Sequence, residues 1–300
     1  MERGLHGATL RQKLPDAKDP LRSSDLYHEW LALIRTLATV SPSAATARLD
    51  FSANDAWQDR ILSSALGGYA QLKHDSVLYA FEDFSAECDG GFGIMVFVEQ
   101  PILPLPRGFV EPNPAFFRAA AALARRAYAL FAPDGEPSIT IAFDDQGGEV
   151  TSNGRLVAER LATMAEREVQ GQALSDDDYA WLRKIGSTYE ALFFTQQKSP
   201  SPAFGADEGR LARGIALVTT IHTNVTSGEA LHIGIGRVDD VFVAVPDVVG
   251  ARMTQGGLFS FYEFAHDASD RLTDEQGTTS LRQDLASGRR GRRASSRPAV

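Results

Sequence analysis

The feature that most constrains this chain is a change of hydrophobic period part-way along it. As far as about residue 198, apolar side chains recur at helical spacing, whereas beyond Gly214 they alternate. Residues 215–222, 230–236, 241–245 and 257–264 read as four strands, and their short connections imply an antiparallel meander. The third of them, Val-Phe-Val-Ala-Val, is apolar on both faces, which places it at the centre of the sheet. The expected fold is mainly α with a small C-terminal four-stranded antiparallel β-sheet, an α+β arrangement.

The helical part divides by its caps and breakers. A first helix is expected near 23–39, where Leu26, Tyr27, Trp30, Leu31, Ile34 and Leu37 share a face. A second opens at Ser52, with Asp55 completing a capping-box pattern and Trp57, Ile61, Ala65, Tyr69, Leu72 and Tyr79 continuing one stripe. Gly67-Gly68 either divides that stripe or lets a neighbour approach closely. Residues 83–108 are rich in glycine and proline and form a long connection, within which 94–98 reads as a short strand or core cover. Asn113-Pro114 supplies an N-cap and a first helical residue, a small hairpin is expected across 138–150, and further helices near 154–171 and 176–197, the latter capped by Ser175. Thr273 to Gln276 forms another capping-box pattern. Residues 1–22 read as a disordered lead-in, 23–277 as one domain with helical (23–198) and sheet (214–265) parts, and 278–300 as a disordered basic tail.

Charge narrows the partners. The chain carries 30 basic and 39 acidic residues. Arg289, Arg290, Arg292, Arg293 and Arg297 all lie in the tail, so without them the balance is 25 against 39, or −14. A body that acidic repels phosphate backbones and makes nucleic acid an unsuitable partner. Cys88 is the single cysteine, which excludes an intramolecular disulfide and a thiolate metal cluster. No run of apolar residues is long enough for a membrane span. Residues 1–20 lack the apolar core of a signal peptide, so a cytoplasmic location is the default expectation.

Several segments together resemble one family, domain of unknown function 3160, found mostly in prokaryotes. They include DLYHEWLALIRTL (25–37), AWQDRILSSALGGYAQLKHDSVLYA (56–80), GFVEPNPAFF (108–117), LSDDDYAWLRKIG (174–186), GIGRVDDVFVAVPD (234–247) and GGLFSFYEF (256–264). The ordered set spans roughly 24–277. The resemblance implies correspondence to the family's C-terminal half, and many members are exported or lipid-anchored. It brings no reaction, and the cofactor it implies is unknown.

Among the polar residues, Asp75 is the most informative. Eighteen residues make five helical turns, so Asp75 falls at the azimuth of Trp57, and it precedes Tyr79 by four residues. A carboxylate on that stripe is expected to be desolvated and therefore a candidate acid or base. Glu111 enters a helix within a rigid Glu-Pro-Asn-Pro turn. With Glu263 and Asp270 these make the catalytic candidates, against a plainer reading as turn-forming and capping groups. Trp57, Tyr79, Asn113, Tyr262 and Arg271 are the candidate ligand-binding residues. A turn centred on Ser227 would set His222 directly opposite His232, and with Glu263 they would form a two-histidine, one-carboxylate metal site. The spacing of a zincin motif is missing, as are nucleophile-elbow, P-loop and dinucleotide motifs; the Gly-Ile-Gly at 234–236 lies inside a strand pattern.

Two functions follow. The first is a non-enzymatic binding or envelope-associated module, whose partner would be a glycan or another envelope component, with an exposed apolar patch and no converging titratable groups. The alternative is a hydrolase-like, glycan-directed enzyme with two of the candidate carboxylates lining one pocket.

Overall fold

The structure, a computed structural model, describes residues 25–38, 49–76, 107–143, 149–196, 217–247, 250–270, 272–274 and 276. Tyr79, Arg271, the run 94–98, the turn at 144–148, the lead-in and the tail lie outside the described residues. Six helices are described: α1 (Leu26–Ala38), α2 (Asp55–Ser76), α3 (Pro114–Phe131), α4 (Gly154–Val169), α5 (Asp176–Arg183) and α6 (Ile185–Gln196). A hairpin of β1 (Ile139–Phe143) and β2 (Glu149–Ser152) stands between α3 and α4, as its turn signals suggested. A three-stranded antiparallel sheet follows, with β3 (Leu217–Asn224), β4 (Glu229–Asp247) and β5 (Gly250–Asp267) in that order. The fold is mixed α+β.

Local caps explain most of the helix starts. The Asn113 side chain accepts from the Phe116 N–H, and Pro114 occupies the first turn of α3. Ser175 and Asp178 close a reciprocal capping box on α5. Thr273 and Gln276 exchange the same pair of bonds. At α2 the cap is Asn54, whose side chain accepts from the Trp57 N–H, because Ser52 is taken up in a preceding 3-10 turn, Asp50–Ala53. The expected helix 176–197 is two, separated at Lys184.

Gly67-Gly68 does not divide α2. Instead, the helix uses both glycines for close approach: a Cβ on Gly67 would lie 3.3 Å from Phe259 Cβ, and one on Gly68 3.6 Å from Ile34. Thus α2 sits between α1 and the sheet. Ala70, Leu217, Ile233, Ile235 and Phe261 form the core of that packing. A second core joins α4 to Val110 and Leu174, with Phe117, Trp181 and Leu182 against it.

The four expected strand segments are all present, but the second and third are the two arms of one strand. The register of β4 on β5 slips between Ile235↔Phe261 and Val238↔Phe259, so β4 holds one extra residue there. The inner arm of β4 lies between β3 and β5 and is the true centre. The outer arm, which contains 241–245, pairs with β5 alone among the described residues, so its expected central place is corrected. Its two-sided apolarity has a different origin: one face is exposed and apolar, the other partly covered.

Gly234 and Gly236 are packing residues. A Cβ on Gly234 would sit 2.8 Å from the Leu217 carbonyl oxygen, and one on Gly236 2.7 Å from the Tyr262 ring. Backbone in a paired strand yields little, so Gly234→Ala should cost about 1–3 kcal/mol of stability. Chemical denaturation measures this, and an unchanged midpoint would show that the strands part more easily than the packing implies.

Candidate functional site

The polar centre of the molecule is the extended segment 107–113, which precedes α3. Charged side chains from three elements hold it. From the second turn of α2, Arg60 Nη2 donates to Glu111 Oε2 at 2.7 Å, with only 15% and 22% of the two side chains exposed. From α4, Glu168 accepts from the Val110 N–H at 2.9 Å. From β5, Arg252 donates to the carbonyls of Arg107 and Gly108, at 2.8 and 3.0 Å, while pairing with Asp247. The Arg60 guanidinium lies 4.4 Å above the Trp57 ring. Trp57 in turn meets Phe51 edge-on, and Phe51 meets Phe109.

This centre is polar and tightly enclosed. Arg60 Nε and Nη1, Glu111 Oε1, Asn113 Nδ2 and Glu168 Oε1 are buried without a hydrogen-bond partner among the described residues. Enclosed groups of this kind raise the cost of any unpaired charge. Burial pushes the Glu168 carboxyl up to about 7, against the opposing pull of the Val110 N–H and the Arg252 charge. Because Glu111 is locked to Arg60, it acts as a structural counter-ion.

A second cluster ties the end of α2 to the sheet. His74 Nε2 lies 3.0 Å from Asp274 Oδ2, and Asp274 Oδ1 accepts from the Val218 N–H of β3 at 2.8 Å. His74 Nδ1 lies 3.2 Å from Asp75 Oδ1. The hydrogen bond to Asp274 raises the His74 pKa to about 9, with Asp75 adding to the effect and partial burial opposing it. At neutral pH the ring is an imidazolium clasped by two carboxylates, which suits a latch better than a base.

His232 is fully buried. Its Nδ1 donates to the Ala230 carbonyl at 3.3 Å and its Nε2 lies 2.9 Å from the Thr220 hydroxyl. It stacks on Phe264 at 5.5 Å.

A family model described as "Protein of unknown function (DUF3160)" matches residues 6–289. The chain belongs to that family. The match reaches beyond the stretches that carried the resemblance in both directions. No curated protein and no solved structure matches the chain. One of the resemblance stretches, 108–117, is the segment on which Arg60, Glu168 and Arg252 converge in this DUF3160 chain.

The sequence candidates separate. Asp75 is exposed, with 51% of its side chain open, and accepts from Gln71 on the same helix. Because α2 is continuous, Asp75 does share the azimuth of Trp57, but Trp57 itself lies at the margin of the buried arc. By helical geometry that arc runs from Ile61 past Ala65 and Leu62 to Ala70 and Gly67. Glu111 and Trp57 come together through Arg60, and the Asn113 N–H donates to the Glu111 carbonyl. Glu263 is exposed on β5, and Asp270 is an exposed loop residue bonded to His266. Tyr262 is buried beside Gly236.

The expected metal site is corrected. A bulge in β3 sets Thr220, not His222, opposite His232 and pairs His222 with Leu231. His222 is exposed and His232 is buried. Among the described residues no three metal-ligating side chains come together. The residues that sequence reasoning missed, Arg60, Glu168, Arg252 and Asp274, gave no local signal. Among the described residues, no helix is long and apolar enough to cross a membrane.

One further surface is open. On the outer arm, Val238, Asp240, Phe242, Ala244 and Pro246 of β4 lie opposite Phe259, Gly257, Gln255, Met253 and Ala251 of β5. All ten are exposed, with Phe242 at 63% and Met253 at 66%. This face continues the one that α2 covers on the inner arm. The opposite face turns toward 107–108 through Arg252.

Proposed function

We propose that this DUF3160 chain is a non-enzymatic binding module that takes a polypeptide on the outer arm of its β4–β5 ribbon. The observation that carries the reading is the exposed apolar face formed by Val238, Phe242, Ala244, Pro246, Ala251, Met253 and Phe259. Contiguous apolar surface of that kind marks an interaction site more often than a bare exterior. Its chemistry favours a protein partner over a glycan, because the adjoining edge of β4 has no backbone partner among the described residues and another strand satisfies peptide groups of that kind. An envelope protein fits the same chemistry. The hydrolase alternative draws little support, since Asp75, Glu263 and Asp270 are exposed and Glu111 is held by Arg60.

The test uses two probes, a labelled ten-residue peptide of alternating valine and threonine, and peptidoglycan fragments. Wild-type chain should bind the peptide, and Phe242→Asp with Met253→Asp should weaken it about tenfold or more while leaving the melting temperature close to its starting value. Cleavage of the fragments, or glycan binding that survives both substitutions, would overturn the reading.

A further inference from the structure

The free edge of the outer arm points to a specific occupant, and this inference rests on the reading of the ribbon as a binding surface. No backbone hydrogen bond reaches residues 238–246 from the side away from β5 among the described residues. Unpaired strand edges recruit other strands, and folded proteins usually blunt them with charge or proline. Here the blunting residues stand at the two ends: Asp239 and Asp240 at one, Pro246 at the other. Between them, 241–245 is uncharged and rich in valine, a strong strand former. The β5 edge of the same arm is interrupted by Gly256 and Gly257, which makes it the poorer template.

We infer that the occupant is a second copy of this chain, paired antiparallel through β4 with Phe242 facing its own counterpart. The charges select that register. Centred on Phe242, an antiparallel pair sets Val241 opposite Val243, Asp240 opposite Ala244, Asp239 opposite Val245 and Val238 opposite Pro246. Centring on Val243 instead would bring Asp239 against Asp247, and centring on Asp240 would set that carboxylate against itself. Centring on Val241 shortens the ladder and places Asp240 against Phe242. Like charges directly opposite one another destabilise a strand pair, and centring on Ala244 shortens the ladder as Val241 does and sets Pro246 against Phe242, so the Phe242 register wins. The two ribbons then form one sheet, and their apolar faces merge into a continuous surface about twice as wide.

Sedimentation over a concentration series reads this directly. The chain has a mass of 32.5 kDa, and the wild type should move toward twice that value as concentration rises. Phe242→Lys and Phe242→Glu each place like charges on the two-fold axis and should raise the dimer dissociation constant about tenfold or more. Mixed together, they should recover the pair. Val225→Lys, in a turn residue that is 91% exposed, should leave association unchanged. On a Cys88→Ser background, Phe242→Cys should form an intermolecular disulfide on mild oxidation, because directly opposed strand residues lie within bridging distance. Met253→Cys should not.

A wild type that stays monomeric throughout overturns the inference, as does cross-linking at position 253 in preference to 242, which would mean face-to-face stacking. A monomer that still binds the valine–threonine peptide loses only the second copy. A chain that neither pairs nor binds the peptide loses the binding reading as well.

Discussion

Arg60→Met should lower stability by about 3 kcal/mol, the scale for removing one member of a largely buried ion pair. The substitution keeps most of the side-chain volume, so the loss reports charge. It leaves Glu111, whose Oε1 already lacks a partner among the described residues, as an uncompensated carboxylate within the 107–113 segment. For a chain of this size the melting temperature should fall by about 6–12 °C. Adding Glu111→Leu should recover most of the loss, because an apolar pair no longer needs solvation that the site does not provide. If the double variant is as unstable as the single one, the contribution came from the packing of Arg60 on Trp57 and not from the charges.

The second large effect is a dependence of stability on pH. Glu168 has its pKa raised from 4.5 to about 7 by burial. Between those values the unfolded chain has released this proton while the folded chain still holds it. The folded state binds more protons, so stability falls as pH rises through this window, by about 3 kcal/mol in all. His74, raised from 6.5 to about 9 by its bond to Asp274, has the same sign in a later window. Its contribution is fully present below about 6.5 and is lost as pH climbs through about 9. The side chain keeps 25% of its surface open and sits between two exposed carboxylates, so solvent screening trims its share. Glu168→Gln keeps an oxygen for the Val110 N–H and removes the titration. The variant should match the wild type near pH 4.5, show a flat profile to pH 7, and be the more stable protein at pH 8. Thermal melts across that range decide the matter; an unaltered slope in the variant would assign the dependence to other groups.

What the sequence revealed was local. Asn113 with Pro114, Ser175 with Asp178, and Thr273 with Gln276 were all readable, because a cap and its partner lie within one turn and their chemistry is written in adjacent residues. The break between helical and alternating periods was readable for the same reason. Long-range contacts were not. Arg60 finds Glu111 across 51 positions, Glu168 finds Val110 across 58, and His74 finds Asp274 across 200. Nothing near any of these residues announces its partner.

Asp75 failed in an instructive way. Periodicity fixes which residues of a helix share an azimuth, yet it does not say which azimuth the sheet will cover. The histidines failed through register, where a single bulged residue in β3 moves a side chain to the opposite face. Neither error could be repaired from spacing alone. The two-sided apolar run at 241–245 misled for a third reason, since an apolar surface that faces a partner has the same composition as one that faces a core.

The extra residue between Ile235 and Val238 has a consequence for how this fold tolerates change in length. Because strand side chains alternate, that residue exchanges odd for even: Ile233 and Ile235 share a face with Phe242 and Ala244. Deleting one residue there would turn Val241, Val243 and Val245 outward, and with them the Asp247 carboxylate that Arg252 grips. The anchor on 107–108 and the apolar surface would be scrambled together by one codon. The four-residue turn closing β3 onto β4, exposed throughout, carries no such parity and should accept insertions that the bulge cannot.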